Sequence, residues 1–237
     1  MYKIIFIWTS LSLFAMTGAA QINTLTEKEE QQGWRLLFNG KNLEGWTSVG
    51  KDVPPSVGWT TEDGVLTVGK AGDTRGGDVM TQEQFADFEL KVDFRVTPGA
   101  NSGIKYFFVR YEKGGWLGLE YQLIDNETHP DAQLGRDENR RQAGLYDMFA
   151  PEKDKEKPVG EWNEAHIVAK GTHVTHYLNG ERVLFFDRKS PAYREACKLS
   201  KYKGSVPSFG DIKQGHILLQ DHGDVVSFRN IKIRVIK

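Results

Sequence analysis

From residue 34 to the end of the chain, hydrophobic and polar positions alternate in short runs that are separated by turn-forming residues. Alternation with a period of two is typical of strands with one buried face, and these runs are rich in β-branched and aromatic residues. The pattern predicts strands at residues 34–38, 58–61, 65–68, 85–96, 103–111, 117–124, 144–149, 163–170, 173–178, 182–186, 217–221 and 225–235. Many short strands with little helix favour an all-β fold, either a β-sandwich or a jelly roll.

Turn and cap residues support these boundaries. The Asp-Gly pair at residues 63–64 and the Asn-Gly pair at residues 179–180 each separate two predicted strands, as tight hairpin turns do. Thr26 followed by Glu29 is a capping-box pattern, which predicts a short helix near the start of the domain. Residues 191–201 are the only other segment with a helical pattern.

The first 20 residues differ from the rest of the chain. Lys3 precedes an apolar run at residues 4–16, and small residues follow up to Ala20. This order predicts a cleaved signal peptide at residues 1–20 and a periplasmic or secreted protein without a lipid-anchor cysteine. Because no later run is long enough for a membrane helix, no membrane insertion is expected after cleavage. Residues 21–32 are then a lead-in with a short helix, and residues 33–237 a single β-sandwich domain.

Composition narrows the function classes. The 237 residues carry 31 Lys and Arg against 32 Asp and Glu, a formal charge of −1. A chain without a basic excess is not expected to bind nucleic acid or an anionic membrane surface. Its single cysteine excludes an internal disulfide and a cysteine-based metal cluster. Nothing in the sequence indicates an organic cofactor or fixes an oligomeric state.

Strand parity identifies the strongest candidate site. Residues two apart on a strand share a face, so Glu120 and Gln122 project together, opposite an apolar face. Gln220 shares a face with His222, and the face of Asn101 continues through Gly103 to Lys105. Polar side chains in the middle of three strands predict a concave ligand-binding surface.

Other candidates lie at strand ends and beside long loops, where functional groups are often found. This group comprises Asp125, Tyr146, Asp147 and Asn163, together with Trp116, whose ring could stack on a sugar. His173 and His176 are three apart, so a strand would place them on opposite faces and prevent joint metal chelation.

Several segments together resemble the 3-keto-disaccharide hydrolase family. They are residues 37–46 (LFNGKNLEGW), 101–104 (NSGI), 120–122 (EYQ), 144–147 (GLYD), 160–164 (GEWNE), 178–180 (LNG), 219–223 (LQDHG) and 228–231 (FRNI). The resemblance implies a concanavalin A-like β-sandwich, export from a bacterium, and action on glycosides whose sugar is oxidised at C3. It also implies a metal ion in some members and a site on the concave sheet. The matching positions are Glu120, Gln122, Tyr146, Asp147, Gln220, Asp221 and His222. At position 105 this chain has Lys where many relatives have an apolar or aromatic residue.

For such a substrate, a base removes the C2 proton of the 3-keto-glycoside, and the C1 substituent is then eliminated. Water adds afterwards in a hydrolase but not in a lyase. The substrate is a small-molecule glycoside. Glu120 or His222 is the base, and Lys105 or a divalent metal stabilises the enediolate. Tyr146 supplies a proton, and Glu120 with His222 is the preferred pair of metal ligands. The substrate-binding residues are Asn101, Trp116, Gln122, Asp125, Asp147, Asn163 and Gln220.

Two alternatives stay open. A conventional glycoside hydrolase needs a second carboxylate, which the strand of Glu120 lacks on the same face. A non-catalytic carbohydrate-binding module would use exposed aromatic rings and would turn over no glycoside.

Overall fold

A computed structural model describes residues 22–69, 74–112, 115–203 and 209–237, and the predicted signal peptide lies outside them. In these ranges the chain forms two α-helices and thirteen strands. The helices are α1 (Glu27–Gln31) and α2 (Pro191–Leu199). The strands are β1 (Arg35–Leu36), β2 (Trp46–Ser48), β3 (Trp59–Glu62), β4 (Val65–Val68), β5 (Val79–Thr81), β6 (Phe88–Val96), β7 (Asn101–Tyr111), β8 (Gly115–Ile124), β9 (Asn163–Lys170), β10 (His173–Leu178), β11 (Glu181–Asp187), β12 (His216–Leu219) and β13 (Val226–Val235).

The strands form two antiparallel sheets. The larger has the order β11-β10-β9-β6-β13-β4-β3, with β1 also paired to β13, and the smaller has the order β2-β5-β12-β7-β8. Side chains from one face of each sheet meet in a single large core that contains Phe88, Phe94, Tyr121 and Phe228. The all-β sandwich predicted from the alternation is confirmed. None of the described helices is long and apolar enough to cross a bilayer.

Three predicted strands and the predicted start of the first helix agree with the structure. Strands β4, β9 and β10 have the predicted bounds, and the capping box at Thr26 opens α1 as expected. His173 is exposed and His176 is buried, so they lie on opposite faces of β10. The helix predicted at residues 191–201 forms but ends at Leu199.

The strand predicted at residues 144–149 is wrong. Leu145 and Phe149 bond to each other's backbone in a tight loop, and Ala143 and Asp147 have positive φ angles of 67° and 61°. These angles break the extended path that a strand requires. The loop nevertheless runs along the free edge of β8, where the Tyr146 amide donates to the Glu120 carbonyl at 3.0 Å. It therefore brings its side chains to the strand of Glu120.

Two strands of the smaller sheet, β2 and β5, were not predicted because each has only three residues and all of them are buried. A bulge was also missed in β7, where the pairing with β8 shifts between Tyr106 and Val109 and Phe107 has a φ angle of 50°. As a result Tyr106 and Phe107 both belong to the large core, while Phe108 belongs to a small cluster with Met80 and Leu218. The small cluster marks the other face of this sheet, which we call the outer face.

Candidate active site

Strands β7 and β8 place a buried carboxylate beside an amine on the outer face. Lys105 pairs with Glu120, and Gly103 pairs with Gln122. Since directly paired residues share a face, the parity prediction for these positions is confirmed. The Lys105 Nζ lies 3.7 Å from Glu120 Oε2, and the Glu120 side chain is only 3% exposed. Within the part of the chain that the structure describes, Glu120 Oε2 has no hydrogen-bond partner, which leaves this oxygen able to accept a proton.

Lys201 is a second amine at this carboxylate, and no pattern in the sequence predicts it. Its Nζ lies 4.0 Å from Glu120 Oε2 and 4.0 Å from the centre of the Tyr146 ring. Because α2 ends before it, Lys201 begins a turn, and its backbone amide donates to Asp147 Oδ2 at 2.6 Å. Burial lowers the pKa of Lys201, and Lys105 acts in the same direction against the opposing charge of Glu120. We call Glu120, Lys105 and Lys201 the Glu120 cluster.

Tyr146 and Asp147 belong to a charged network beside this cluster. The Tyr146 hydroxyl donates to Asp131 Oδ2 at 2.8 Å, and Arg140 bridges Asp131 and Asp147 at 2.6 and 2.9 Å. Burial and the hydrogen bond to Asp131 raise the pKa of the Tyr146 hydroxyl. Tyr146 is therefore held as a donor to Asp131, with its ring under the Lys201 ammonium.

Two side-chain amides continue the outer face from Glu120. Gln122 Oε1 and Gln220 Oε1 are buried and accept no hydrogen bond within the described part of the chain. Gln122 donates through Nε2 to Asn101 Oδ1 at 3.3 Å. Buried amide oxygens normally have partners, so these two atoms are suited to accept from ligand hydroxyls.

Asp78 adds a carboxyl group that the sequence did not single out. It precedes β5, accepts the Asp221 amide at 2.9 Å, and is close enough to Lys105 and Glu120 to interact with their charges. Burial raises the pKa of Asp78. The Asp221 carboxylate itself accepts the amides of Gly77 and Gly223, so it fixes the backbone of this region.

His222 lies in a different group of ligating atoms from Glu120. His129, His222 and Asp224, here called the histidine cluster, offer atoms that all lie within 4.8 Å of one another. Asp224 Oδ2 lies 3.9 Å from His129 Nε2, 3.8 Å from His222 Nδ1 and 3.0 Å from the Asn101 amide that donates to it. Asn101 thus links the histidine cluster to Gln122.

The donor set of the histidine cluster suits a divalent cation, since imidazole and carboxylate bind several such ions. His222 Nδ1 and Asp224 Oδ2 fit this role. His129 fits less well, because its Nδ1 accepts the Asp131 amide at 3.1 Å. In the neutral ring the proton then resides on Nε2, the nitrogen that faces Asp224.

The opposite end of the outer face is aromatic. Trp116 stacks on Phe108 with 5.5 Å between ring centres and 16° between planes. Met80 and Leu218 complete this apolar cluster, and Leu218 pairs with Lys105. The predicted sugar-stacking residue therefore lies on the same face as the Glu120 cluster.

Two predicted site residues lie elsewhere. The Asp125 carboxylate accepts the amides of Gly99, Glu127 and Thr128 and the Thr128 hydroxyl, and it lines a separate cavity of about 420 Å³. Asn163 belongs to β9 in the larger sheet, where its Oδ1 accepts from Lys157 and Asn179. Both side chains already have partners that organise loops.

The outer face therefore holds a buried carboxylate, two amines and amide oxygens that have no partner among the described residues, which are groups able to bind a polar ligand. The chain belongs to the family of the 3-keto-alpha-glucoside-1,2-lyase-like domain, whose model matches residues 33–234. A 3-keto-disaccharide hydrolase of Bacteroides thetaiotaomicron is 38% identical over 244 residues, with 92% of this chain and 83% of that protein covered. The resemblance inferred from the sequence is confirmed.

Solved structures support the same assignment. A proposed glycosyl hydrolase from Parabacteroides distasonis is 31% identical, with a TM-score of 0.79 over 92% of this chain and all of the other. A second one from that organism is 29% identical, with a TM-score of 0.62 over 86% of this chain and 99% of the other. A Bacillus subtilis protein with a galectin-like fold has a TM-score of 0.50 at 13% identity, over 91% of this chain and 94% of its own, and shows the fold alone.

Proposed function

We propose that this protein cleaves the glycosidic bond of 3-keto-glycosides by removing the C2 proton and eliminating the substituent at C1, after which water adds in a hydrolase but not in a lyase. The observation that carries the proposal is the buried Glu120 carboxylate, whose Oε2 has no hydrogen-bond partner among the described residues and lies within 4.0 Å of two lysine amines. The relatives support the substrate class, since one of them is a 3-keto-disaccharide hydrolase. The export predicted from residues 1–20 is part of the same proposal.

The chemistry requires three functions. A ketone at C3 acidifies the C2 proton, because the carbanion formed at C2 delocalises onto the ketone oxygen. The site must then supply a base at C2, a cation or donor near the enolate oxygen, and an acid for the leaving oxygen. Each function needs a group that can reach the sugar from the outer face.

Glu120 is the base in this proposal. Its unpartnered oxygen can accept a proton, and the two adjacent amines compensate the charge of a carboxylate that is 3% exposed. His222, the other base considered from the sequence, lies in the histidine cluster with its side chain 47% exposed. We therefore assign His222 to ligand or metal binding.

Lys105 stabilises the enolate oxygen, and the amides orient the sugar. The Lys105 ammonium is fixed on the strand next to Glu120 and is 16% exposed. Its positive charge is therefore already in place when negative charge develops on the enolate oxygen. Gln122 and Gln220 accept hydrogen bonds from sugar hydroxyls through Oε1, which has no partner among the described residues in either side chain. Trp116, backed by Phe108, provides a stacking surface for the sugar or the leaving group.

A divalent cation would be held by His222 and Asp224, to which His129 adds a ligand only by giving up its hydrogen bond from Asp131. Such an ion supplies Lewis-acid stabilisation of negative charge on oxygen. Glu120 is excluded from our ligand set, because two amines already occupy its surroundings and would repel a cation.

A conventional glycoside hydrolase is the second candidate, and Asp78 favours it. Its raised pKa and its interaction with the charge of Glu120 resemble the acid partner in a carboxyl pair. This alternative predicts cleavage of unoxidised glycosides and a strict requirement for Asp78.

The test is incubation of the purified protein with a 3-keto-glucoside and with its unoxidised parent, each with and without a chelator. We expect release of the leaving group from the keto form alone, and loss of release in Glu120→Gln. Glu181→Gln is a matched control, because Glu181 is exposed and begins β11 at the edge of the other sheet. Equal cleavage of the parent would favour the conventional hydrolase, and binding without turnover would favour a carbohydrate-binding module.

A further inference from the structure

The proposed function leaves one step without a residue, namely protonation of the oxygen that leaves C1. Tyr146 was the sequence-based candidate, but its hydroxyl proton is donated to Asp131 and burial raises its pKa. Lys105 stabilises the enolate oxygen in the proposed function. Lys201, the third member of the Glu120 cluster, compensates the charge of Glu120 but transfers no proton in the proposed function.

Lys201 is placed to reach both Glu120 and a ligand. Its Nζ lies 4.0 Å from Glu120 Oε2, and its side chain is 46% exposed, against 16% for Lys105. The Tyr146 ring lies under its ammonium, and the Asp147 carboxylate accepts a hydrogen bond from its backbone amide. The side chain is therefore accessible and held in place.

We propose that Lys201 is the general acid for the leaving oxygen, and that Glu120 afterwards returns to it the proton taken from C2. This inference rests on the proposed function. Partial desolvation of the amine lowers the pKa of Lys201 and supports this role, because a less basic amine gives up its proton more readily.

The proton balance closes within the cluster. Glu120 takes the C2 proton, and the C2–H electron pair forms the C2=C3 bond of an enolate whose oxygen lies by Lys105. As the C3 carbonyl re-forms, a C1=C2 bond forms and the C1–O bond breaks, its electron pair remaining on the leaving oxygen. That oxygen takes a proton from Lys201 Nζ. The products are an alcohol and a 1,2-unsaturated 3-keto sugar.

Glu120 is now protonated and Lys201 is a neutral amine. Transfer of the proton from Glu120 to Lys201 across their 4.0 Å pair restores the starting ionisation without a proton from bulk water. Addition of water across C1=C2, where it occurs, gives the free 3-keto sugar. No oxidant or reductant is consumed in any of these steps.

The test compares leaving groups in the wild type, Lys201→Met and Lys201→Arg. Methyl 3-keto-glucoside needs an acid for its leaving oxygen, whereas 4-nitrophenyl 3-keto-glucoside does not. We expect both variants to lose about 10²–10⁴-fold in cleavage of the methyl glycoside, the usual contribution of general acid catalysis. The nitrophenyl glycoside should lose less than about 10-fold. Arg keeps the charge but does not release its proton at neutral pH.

A second readout separates the acid from the base. In D₂O the Lys201 variants should still exchange the C2 hydrogen of the methyl glycoside, while Glu120→Gln should not. Lys198→Met is the matched control, since Lys198 lies on α2 with its side chain 72% exposed and should keep wild-type rates on both substrates. Thermal denaturation verifies that each variant is folded.

Equal losses on the two glycosides, or a methyl-glycoside rate that is unchanged in both Lys201 variants, would overturn the role of Lys201 and leave the proposed function standing. A wild-type protein that neither cleaves the two keto-glucosides nor exchanges their C2 hydrogen would overturn the proposed function itself.

Discussion

The Oε1 atom of Glu120 lies 2.8 Å from the position that a Cβ atom on Gly103 would occupy. Gly103 pairs with Gln122 on the neighbouring strand, and its φ angle is not in the left-handed region. The φ angle at this position therefore does not require glycine. Gly103 is required for the space beside the carboxylate rather than for conformational freedom.

Gly103→Ala should impair the reaction more than the fold. The added methyl group would push the Glu120 carboxylate out of position, and a shift of about 1 Å can cost on the order of 10²-fold in rate. We expect at least about a 10-fold loss in keto-glycoside cleavage with little change in melting temperature. Initial rates and thermal denaturation measure the two effects.

Gly118→Ala is the contrasting control on the same face. A Cβ there would lie 2.9 Å from Phe108 Cα and 3.0 Å from the Tyr106 carbonyl oxygen, which are backbone atoms that cannot turn aside. This variant should lose stability first. Full activity in Gly103→Ala would contradict the placement of Glu120 as the base.

Tyr146 should act through its ring rather than through its hydroxyl. Tyr146→Phe keeps the ring under Lys201 and removes the bond to Asp131, so we expect a loss of only a few-fold in rate. Tyr146→Leu removes the cation–π contact, commonly worth about 0.5–2 kcal/mol, and should lose more. Comparison of kcat/KM for the two variants decides between these roles, and near-complete loss in Tyr146→Phe would restore the hydroxyl as the proton donor.

The sequence predicts the parts of the site that depend on strand parity. Glu120, Gln122 and Lys105 share a face because they occupy matching positions on adjacent strands, and alternation alone is enough to infer this. The β-sandwich follows from the same alternation. Short buried strands such as β2 carry no alternation, and for that reason they could not be found.

Lys201 could not be predicted in this way. It lies 81 positions from Glu120 in a turn after a helix, where no periodic pattern relates the two residues. The histidine cluster is a similar case, since His129 caps a short 3₁₀ helix (Pro130–Gln133) in a long loop and approaches His222 only in the folded chain. Contacts made by loops depend on tertiary packing.

Metal binding should depend on Asp224 and His222 and not on Glu120. Asp224 Oδ2 faces both histidines, whereas Glu120 is flanked by two amines. Isothermal titration with Co²⁺ or Zn²⁺ should show at least about a 10-fold weaker affinity in Asp224→Ala and His222→Ala. Removal of an outer partner commonly has effects of about 10–100-fold, so ligand loss should be at least as large.

His129→Ala should weaken this binding less than His222→Ala, because His129 must first give up its hydrogen bond from Asp131. Glu120→Gln serves as the control and should titrate like the wild type. A strong dependence of metal affinity on Glu120 would contradict the separation of the two clusters and favour the Glu120–His222 pair inferred from the sequence.

The buried His176 should make the fold sensitive to acid. Its Nδ1–H donates to the Ala143 carbonyl at 2.9 Å and its Nε2 accepts from the Tyr106 hydroxyl at 2.8 Å, while burial lowers its pKa from 6.5 to about 4. Between these two values the unfolded chain binds a proton that the folded chain does not. The free energy of unfolding should therefore decrease as the pH falls from about 6.5 to about 4, by at most about 1.4 kcal/mol per pH unit from this group.

Protonation of His176 Nε2 removes the hydrogen bond from the Tyr106 hydroxyl, while Nδ1–H still donates to the Ala143 carbonyl at the start of the loop that carries Tyr146. His176→Phe has no ring proton to gain, so its stability should be lower at pH 7, where the Ala143 carbonyl and Tyr106 hydroxyl lose their partner. Its stability should also change less between pH 6.5 and pH 4 than that of the wild type. Urea denaturation at several pH values measures the difference in the free energy of unfolding between the two proteins. The contributions of the carboxylates, which both proteins share, cancel in this difference. Parallel pH profiles would show that His176 does not titrate on unfolding.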